Sequence, residues 1–297
     1  MRRKFKGTGV AIVTPFRNYG TIDFTSLGHI IEHIINNGVN YIVALGTTAE
    51  TATLSYDEKI AIVDFIIESV NGRVPIVVGI GGNNTQNITD CIKETNFDGV
   101  DAILSVCPFY NKPQQKGIYM HYKSIADVSP VPVIMYNVPG RTSVNMTSET
   151  TLKLANDFEN IIGIKEASGN LCQCMEIIKN KPKDFLVISG DDLLTLPLLS
   201  IGGDGVISVI ANAFPKEFSE MVQLGIKGQT KKAIEFHYQL TDIISAIFAD
   251  GNPSGIKAAL EDLGLCQNNL RLPLVKINKS LHNHINNLIK EIKAIKV

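Results

Sequence analysis

Val133-Ile134-Met135-Tyr136 and, one helical segment later, Ile161-Ile162-Gly163-Ile164-Lys165 decide the fold. Both are short, continuous apolar runs. Such runs fit strands buried on both faces, as in a parallel sheet. Six more, rich in Val and Ile, recur along the chain: Val10–Val13, Tyr41–Leu45, Ile76–Gly79, Ala102–Val106, Leu186–Ser189 and Gly205–Val209. Between the runs lie segments with helical spacing, such as Leu27, Ile30, Ile31, Ile34 and Ile35. Another opens on Asp57 and Glu58, acids placed where the helix dipole favours them. Eight strands separated by helices is the count of a (β/α)8 TIM barrel; an open doubly wound α/β sheet usually uses fewer.

From Pro215 onward only helical periodicity remains: Phe218–Ile226, Thr230–Ile247, Ser254–Leu263 and Leu281–Ile292. The first reads as the last barrel helix. The other three predict a small C-terminal helical appendage. The expected division is a barrel over 1–227, carrying the active site, and an appendage over 228–297. No low-complexity linker separates them, so the appendage is expected to pack on the barrel.

At 297 residues the chain can bury one large core. Hydrophobic residues make up 44% and charged residues 19%, a globular rather than disordered composition. A net charge of -1 supplies no field to draw nucleic acid or an anionic membrane, so neither is an expected partner. The basic cluster Arg2, Arg3, Lys4 and Lys6 is followed by no apolar segment of a signal peptide. No run is long enough to span a bilayer, which leaves the cytoplasm as the expected location. The five cysteines form no C-x-x-C pair, and reduced thiols, mostly buried, are expected.

Two patterns mimic function. His29-Ile30-Ile31-Glu32-His33 matches H-x-x-E-H, with both imidazoles on one helical face. That helix is an outer one, remote from the strand ends, so a polar stripe explains it and no metal is expected. Gly79-Ile80-Gly81-Gly82 opens like a dinucleotide loop but has Asn84 in place of the last glycine. Gly202-Gly203-Asp204-Gly205 precedes its strand rather than following it. Tight turns account for both.

In such barrels the chemistry sits where strands end. The sixth run ends in Gly163-Ile164-Lys165-Glu166-Ala167. A lysine in an apolar strand is costly to bury charged, and desolvation favours the neutral amine, a nucleophile for carbonyls. Its bland alternative is a strand-end lysine that reaches water or pairs with Glu166. The fifth run ends in Tyr136-Asn137-Val138-Pro139-Gly140-Arg141. A phenol one βα unit from Lys165 can relay protons, and Arg141 offers a planar fork for a carboxylate. The second ends in Gly46-Thr47-Thr48-Ala49-Glu50, an anion site or an ordinary helix cap. The fourth ends in Cys107-Pro108-Phe109-Tyr110, whose aromatics suggest a site, a subunit contact or local packing. Each bland alternative is sound alone; four motifs at four strand ends are harder to dismiss together.

Together the G-T-T-x-E, Y-N-V-P-x-R-T and G-I-K-E-A motifs resemble those of the pyruvate-dependent class I aldolases, the family that contains dihydrodipicolinate synthase and N-acetylneuraminate lyase. The resemblance runs from Gly9-Val10-Ala11-Ile12-Val13 to Leu270-Arg271-Leu272-Pro273-Leu274 and is closest to the dihydrodipicolinate synthases. It implies condensation of pyruvate with L-aspartate-4-semialdehyde to 4-hydroxy-tetrahydrodipicolinate, the first committed step toward diaminopimelate and lysine. It implies no cofactor beyond a covalent imine between pyruvate and Lys165. Tyr136 matches the proton-shuttling tyrosine, and Thr47 the threonine that links it to a second tyrosine. Tyr110 matches that second tyrosine, which in the family enters a neighbouring subunit's site. Arg141 matches the arginine holding the semialdehyde's carboxylate. Thr48 and the backbone of Ile207 match groups around bound pyruvate, and Gly190 lies at the matching seventh-strand loop. The implied assembly is a homodimer or a homotetramer made of two dimers.

Neuraminate lyases generally lack an arginine at Arg141, because their acceptor is an uncharged sugar aldehyde. A sibling lyase acting on N-acetylneuraminate or a 2-keto-3-deoxy sugar acid is the alternative activity. A non-catalytic barrel that binds a small carboxylate is the alternative of another class. Lysine-inhibited members often carry histidines where this chain has Tyr56 and Lys59, glutamate at Asn87 and tyrosine at Phe109. Without that carboxylate, inhibition by lysine is expected to be weak or absent.

Overall fold

The structure, a computed structural model, describes residues 2–294. Eight parallel strands close into a barrel in chain order. They are β1 (Gly7–Ala11), β2 (Tyr41–Ala44), β3 (Ile76–Gly79), β4 (Ala102–Val106), β5 (Val133–Asn137), β6 (Ile161–Glu166), β7 (Leu186–Ser189) and β8 (Gly205–Ser208). Every expected strand is present. β1 differs most, starting three residues early, because its first half reads Gly7-Thr8-Gly9 rather than as an apolar run. Those glycines are structural. A Cβ on Gly9 would run into the ring of Tyr41, which fills the barrel interior and donates to the Val206 carbonyl at 3.2 Å. Phe5 meets Tyr41 edge-on, with ring centroids 5.7 Å apart, inside the same inner core.

The outer layer comprises α1 (Phe24–Asn36), α2 (Tyr56–Val70), α3 (Thr85–Glu94), α4 (Gln115–Val128), the single turn α5 (Pro139–Thr142), α6 (Ser148–Asp157), α7 (Leu171–Asn180), α8 (Thr195–Ser200) and α9 (Pro215–Ile226). Their entries are set by local sequence. Asp23 caps α1, Asn84 caps α3, and Ser55 with Glu58 forms a reciprocal capping box on α2. The apolar faces of these helices and the outward side chains of the strands build the larger core.

β5 and β6 are not in simple register. Val133 pairs with Ile161, but Ile134 pairs with Gly163, so β6 carries one extra residue, Ile162. Beyond this bulge Tyr136 faces Lys165, and Asn137 faces Glu166. Met135 and Ile164 belong to the outer core and Tyr136 to the inner one. The extra residue therefore turns Lys165 into the barrel and Glu166 out of it.

After α9 come α10 (Thr230–Phe248), α11 (Ser254–Asp262) and α12 (Lys279–Ala294). Their join to the barrel is polar and buried. Lys257 pairs with Glu50, and neither side chain is exposed (0%/0%). Lys257 Nζ also donates to the Asn269 carbonyl at 2.9 Å and lies 4.2 Å from the Phe16 ring centroid. Removing one member of such a pair strands a buried charge, at a cost of about 3–5 kcal/mol.

The mimicking patterns have structural explanations. Glu32 makes a two-pronged ion pair with Arg73 at 2.9 and 2.5 Å, and His33 meets the Ala213 carbonyl at 3.3 Å. A Cβ on Gly79 would overlap the Leu45 carbonyl, and one on Gly81 would lie 2.8 Å from Val106. Close approach, rather than the turn expected from sequence, requires those glycines. Lys4 pairs with Asp101 and Lys6 with Asp204; the side chains of Arg2 and Arg3 lie outside the described residues. Cys107, Cys174 and Cys266 are buried free thiols, Cys91 is half-buried and Cys172 exposed. No helix among the described residues is long and apolar enough to cross a membrane.

Candidate active site

Lys165 and Tyr136 end neighbouring strands and are 5% and 7% exposed. The Lys165 amine lies 4.3 Å from the centroid of the Tyr136 ring. Gly190, just beyond β7, borders the lysine's stem: a Cβ there would lie 3.0 Å from Lys165 Cε. Ile207 of β8 is buried in the same inner core. An amine in this setting can attack a carbonyl, with a phenol beside it to exchange protons.

The loop after β2 folds into a short 3-10 turn, Thr47–Ala49, followed by Glu50 in a left-handed conformation (φ 55°). Thr47 is exposed and Thr48 buried. Thr48 Oγ1 accepts from Asn252 Nδ2 at 2.9 Å. Across the rim, Arg141 sits in α5, which Pro139 opens. Its Nη2 donates to the Asn252 carbonyl at 3.4 Å. Asn252, from the loop before α11, thus touches two expected binding residues and is itself 8% exposed. Among the described residues its Oδ1 has no hydrogen-bond partner. Periodicity ties it to neither partner, because both are distant in sequence.

Tyr110 is 87% exposed at a left-handed φ of 71°, and Phe109 beside it is 40% exposed. The pair therefore stands out from this chain instead of packing under its own loop.

The whole-chain model of the dihydrodipicolinate synthetase family matches residues 4–292. The chain belongs to this family. Among similar members, the 4-hydroxy-tetrahydrodipicolinate synthase of Flavobacterium psychrophilum is 53% identical over 288 residues, covering 97% of this chain and 98% of its own. The solved dihydrodipicolinate synthase of Thermotoga maritima superposes with a TM-score of 0.95 at 40% identity, covering 98% of this chain and 99% of its own. A monomeric dihydrodipicolinate synthase variant reaches a TM-score of 0.96 at 39% identity, covering 99% of both chains.

Two further groups in this family member have partners the sequence did not indicate. Asp192 follows β7 and is 3% exposed. It accepts from the backbone N–H groups of Val209 at 3.1 Å and Ile210 at 2.8 Å, tying the β7 loop to the end of β8. Burial pushes its carboxyl up to about 6, against those hydrogen bonds. The second is a network around Glu166, on the outer side of β6. Asn137 Nδ2 reaches its two oxygens at 3.2 and 3.1 Å, and Gln173 Nε2 reaches one at 2.9 Å.

Proposed function

We propose that this chain condenses pyruvate with L-aspartate-4-semialdehyde to 4-hydroxy-tetrahydrodipicolinate, the first committed step of diaminopimelate and lysine biosynthesis, through an imine on Lys165. The observation that carries this reading is the buried Lys165 amine, 4.3 Å from the Tyr136 ring at a barrel strand end, in a chain 53% identical to a synthase of that name. The neutral amine adds to the pyruvate ketone, and loss of water leaves a cationic imine. Loss of a methyl proton gives an enamine, whose carbon bonds to the aldehyde carbon. The semialdehyde's own amine then displaces Lys165 and closes the ring. The lysine is regenerated, and one water is released overall.

Tyr136 carries protons to and from the carbinolamine. Thr47 links it to Tyr110 of a neighbouring copy, so the working unit is a homodimer or a homotetramer of two dimers. Thr48 and the backbone of Ile207 hold pyruvate, Gly190 leaves room for it, and Arg141 binds the acceptor's carboxylate. Asn252 Oδ1 is free to accept from the acceptor's amine. The chemistry uses no metal or organic cofactor. Residues 1–227 are the catalytic barrel and 228–297 its appendage, of which 295–297 lie outside the described residues.

Borohydride added with pyruvate should leave a mass adduct on the Lys165 peptide. Arg141→Ala should still form that adduct while losing at least about a hundredfold in kcat/KM for the semialdehyde. No adduct on the unaltered protein would overturn the imine. Equal loss of trapping and turnover in the variant would overturn the role of Arg141.

A further inference from the structure

The bulge at Ile162 puts Glu166 directly behind Lys165, on the strand's other face. Glu166 is 4% exposed, Asn137 0% and Gln173 8%. The carboxylate's four contacts are all with neutral N–H donors. Ser168 N and Asn137 Nδ2 reach Oε1 at 2.8 and 3.2 Å; Asn137 Nδ2 and Gln173 Nε2 reach Oε2 at 3.1 and 2.9 Å. Met146 helps to orient both amides. Its N–H donates to Asn137 Oδ1 at 2.9 Å, and its carbonyl accepts from Gln173 Nε2 at 3.2 Å. Only donors surround it, the partners a carboxylate needs. Its charge is felt nearby. Burial first and Glu166 second push the Cys174 thiol up to about 12.

The geometry ties three parts of the site together. Asn137 follows Tyr136, and Glu166 follows Lys165. Asn145 and Met146 close the loop that carries Arg141, and Asn145 bonds both Asn137 and Gln173, at 2.8 and 2.9 Å. A carboxylate behind the strand also favours a cation formed on the other face in a water-poor setting.

We propose that Glu166 is a positioning residue for the imine chemistry: through Asn137 and Gln173 it fixes Tyr136, Lys165 and the Arg141 loop relative to one another, and its negative charge favours the cationic imine on Lys165. The proposal rests on the imine reading of Lys165. Glu166→Gln removes the charge and turns an NH2 toward donors; Glu166→Asp keeps the charge; Gln173→Met keeps the carboxylate but releases the Arg141 loop.

The test is competitive acetylation of Lys165 against pH, read by peptide mass spectrometry, alongside steady-state kinetics. In Glu166→Gln the pH midpoint of labelling should fall by about half a unit or more, and kcat by about tenfold. Glu166→Asp should restore the midpoint. Gln173→Met should leave the midpoint in place while raising KM for the semialdehyde about fivefold. Should Glu166→Gln not fold, Glu166→Asp and Gln173→Met decide the matter: an aspartate midpoint displaced from the unaltered protein's, or an unchanged KM in the methionine variant, overturns the proposal. A Glu166→Gln enzyme matching the unaltered one in midpoint and kcat overturns the role of Glu166 alone. An unaltered enzyme that never traps pyruvate overturns the imine reading itself.

Discussion

Gly190 carries no side chain where one would press on Lys165: a Cβ there would lie 3.0 Å from Cε and 2.6 Å from the Ala167 Cβ. Neither neighbour can retreat easily, because both flank the end of a packed strand. Gly190→Ala should therefore slow borohydride-dependent pyruvate trapping by about tenfold while shifting Tm by only a few degrees. Unchanged trapping would mean the lysine stem moves aside freely. Two other buried residues govern the response to acid. Burial lowers the His121 imidazole to about 4, and burial raises the Asp192 carboxyl to about 6. Each displacement is about two units, or roughly 3 kcal/mol. The signs oppose. His121 contributes stability above its unfolded value of 6.5, lost as pH falls through 4; Asp192 contributes stability below 3.8, lost as pH rises through 6. Their slopes nearly cancel between pH 4 and 6 in the unaltered chain. In urea titrations across that range, Asp192→Asn should gain stability with rising pH relative to the unaltered protein, and His121→Gln should lose it. Parallel profiles for all three would refute this account.

Among the elements, legibility followed the kind of force involved. Strands held by burial on both faces announced themselves as apolar runs, and seven of the eight were placed nearly to the residue. β1 was half hidden, since Gly9 is there to admit Tyr41 and an absent side chain leaves no hydropathy signal. The strand-end motifs placed Lys165, Tyr136, Thr48 and Arg141 on one rim. The contacts of Asn252 and Asp192 stayed hidden, because their partners lie far along the chain. The H-x-x-E-H pattern was legible as a pattern only. Its glutamate spends both oxygens on Arg73, a pairing that depends on how α1 and α2 lie side by side.

For the molecule as a whole, the appendage is joined to the rim by buried polar bonds, not by apolar contact alone. The Lys257–Glu50 pair and the Asn252–Thr48 bond both end on the loop after β2. The appendage and the proposed pyruvate loop are thus joined by buried polar bonds. Tyr110 gives the assembly its own test. If it completes a neighbour's site, inactive Lys165→Ala subunits carry a good Tyr110, and Tyr110→Phe subunits carry a good lysine. Mixing the two under subunit exchange should restore activity, up to about a quarter of the unaltered level. No restoration, with exchange verified by mass, would place the whole relay within one chain.

The single extra residue in β6 works as a phase shift in a two-beat code. Ile161 points to the outer core and Ile162 to the inner one; past Ile162 the alternation restarts, with Ile164 outward and Lys165 inward. The two halves of one strand therefore obey separate constraints. An engineer can repack the lower half without touching the reactive end, provided the beat is kept. Flattening the bulge, so that Ile162 paired with Ile134, would keep every residue yet turn Glu166 toward the interior and Lys165 into the wall.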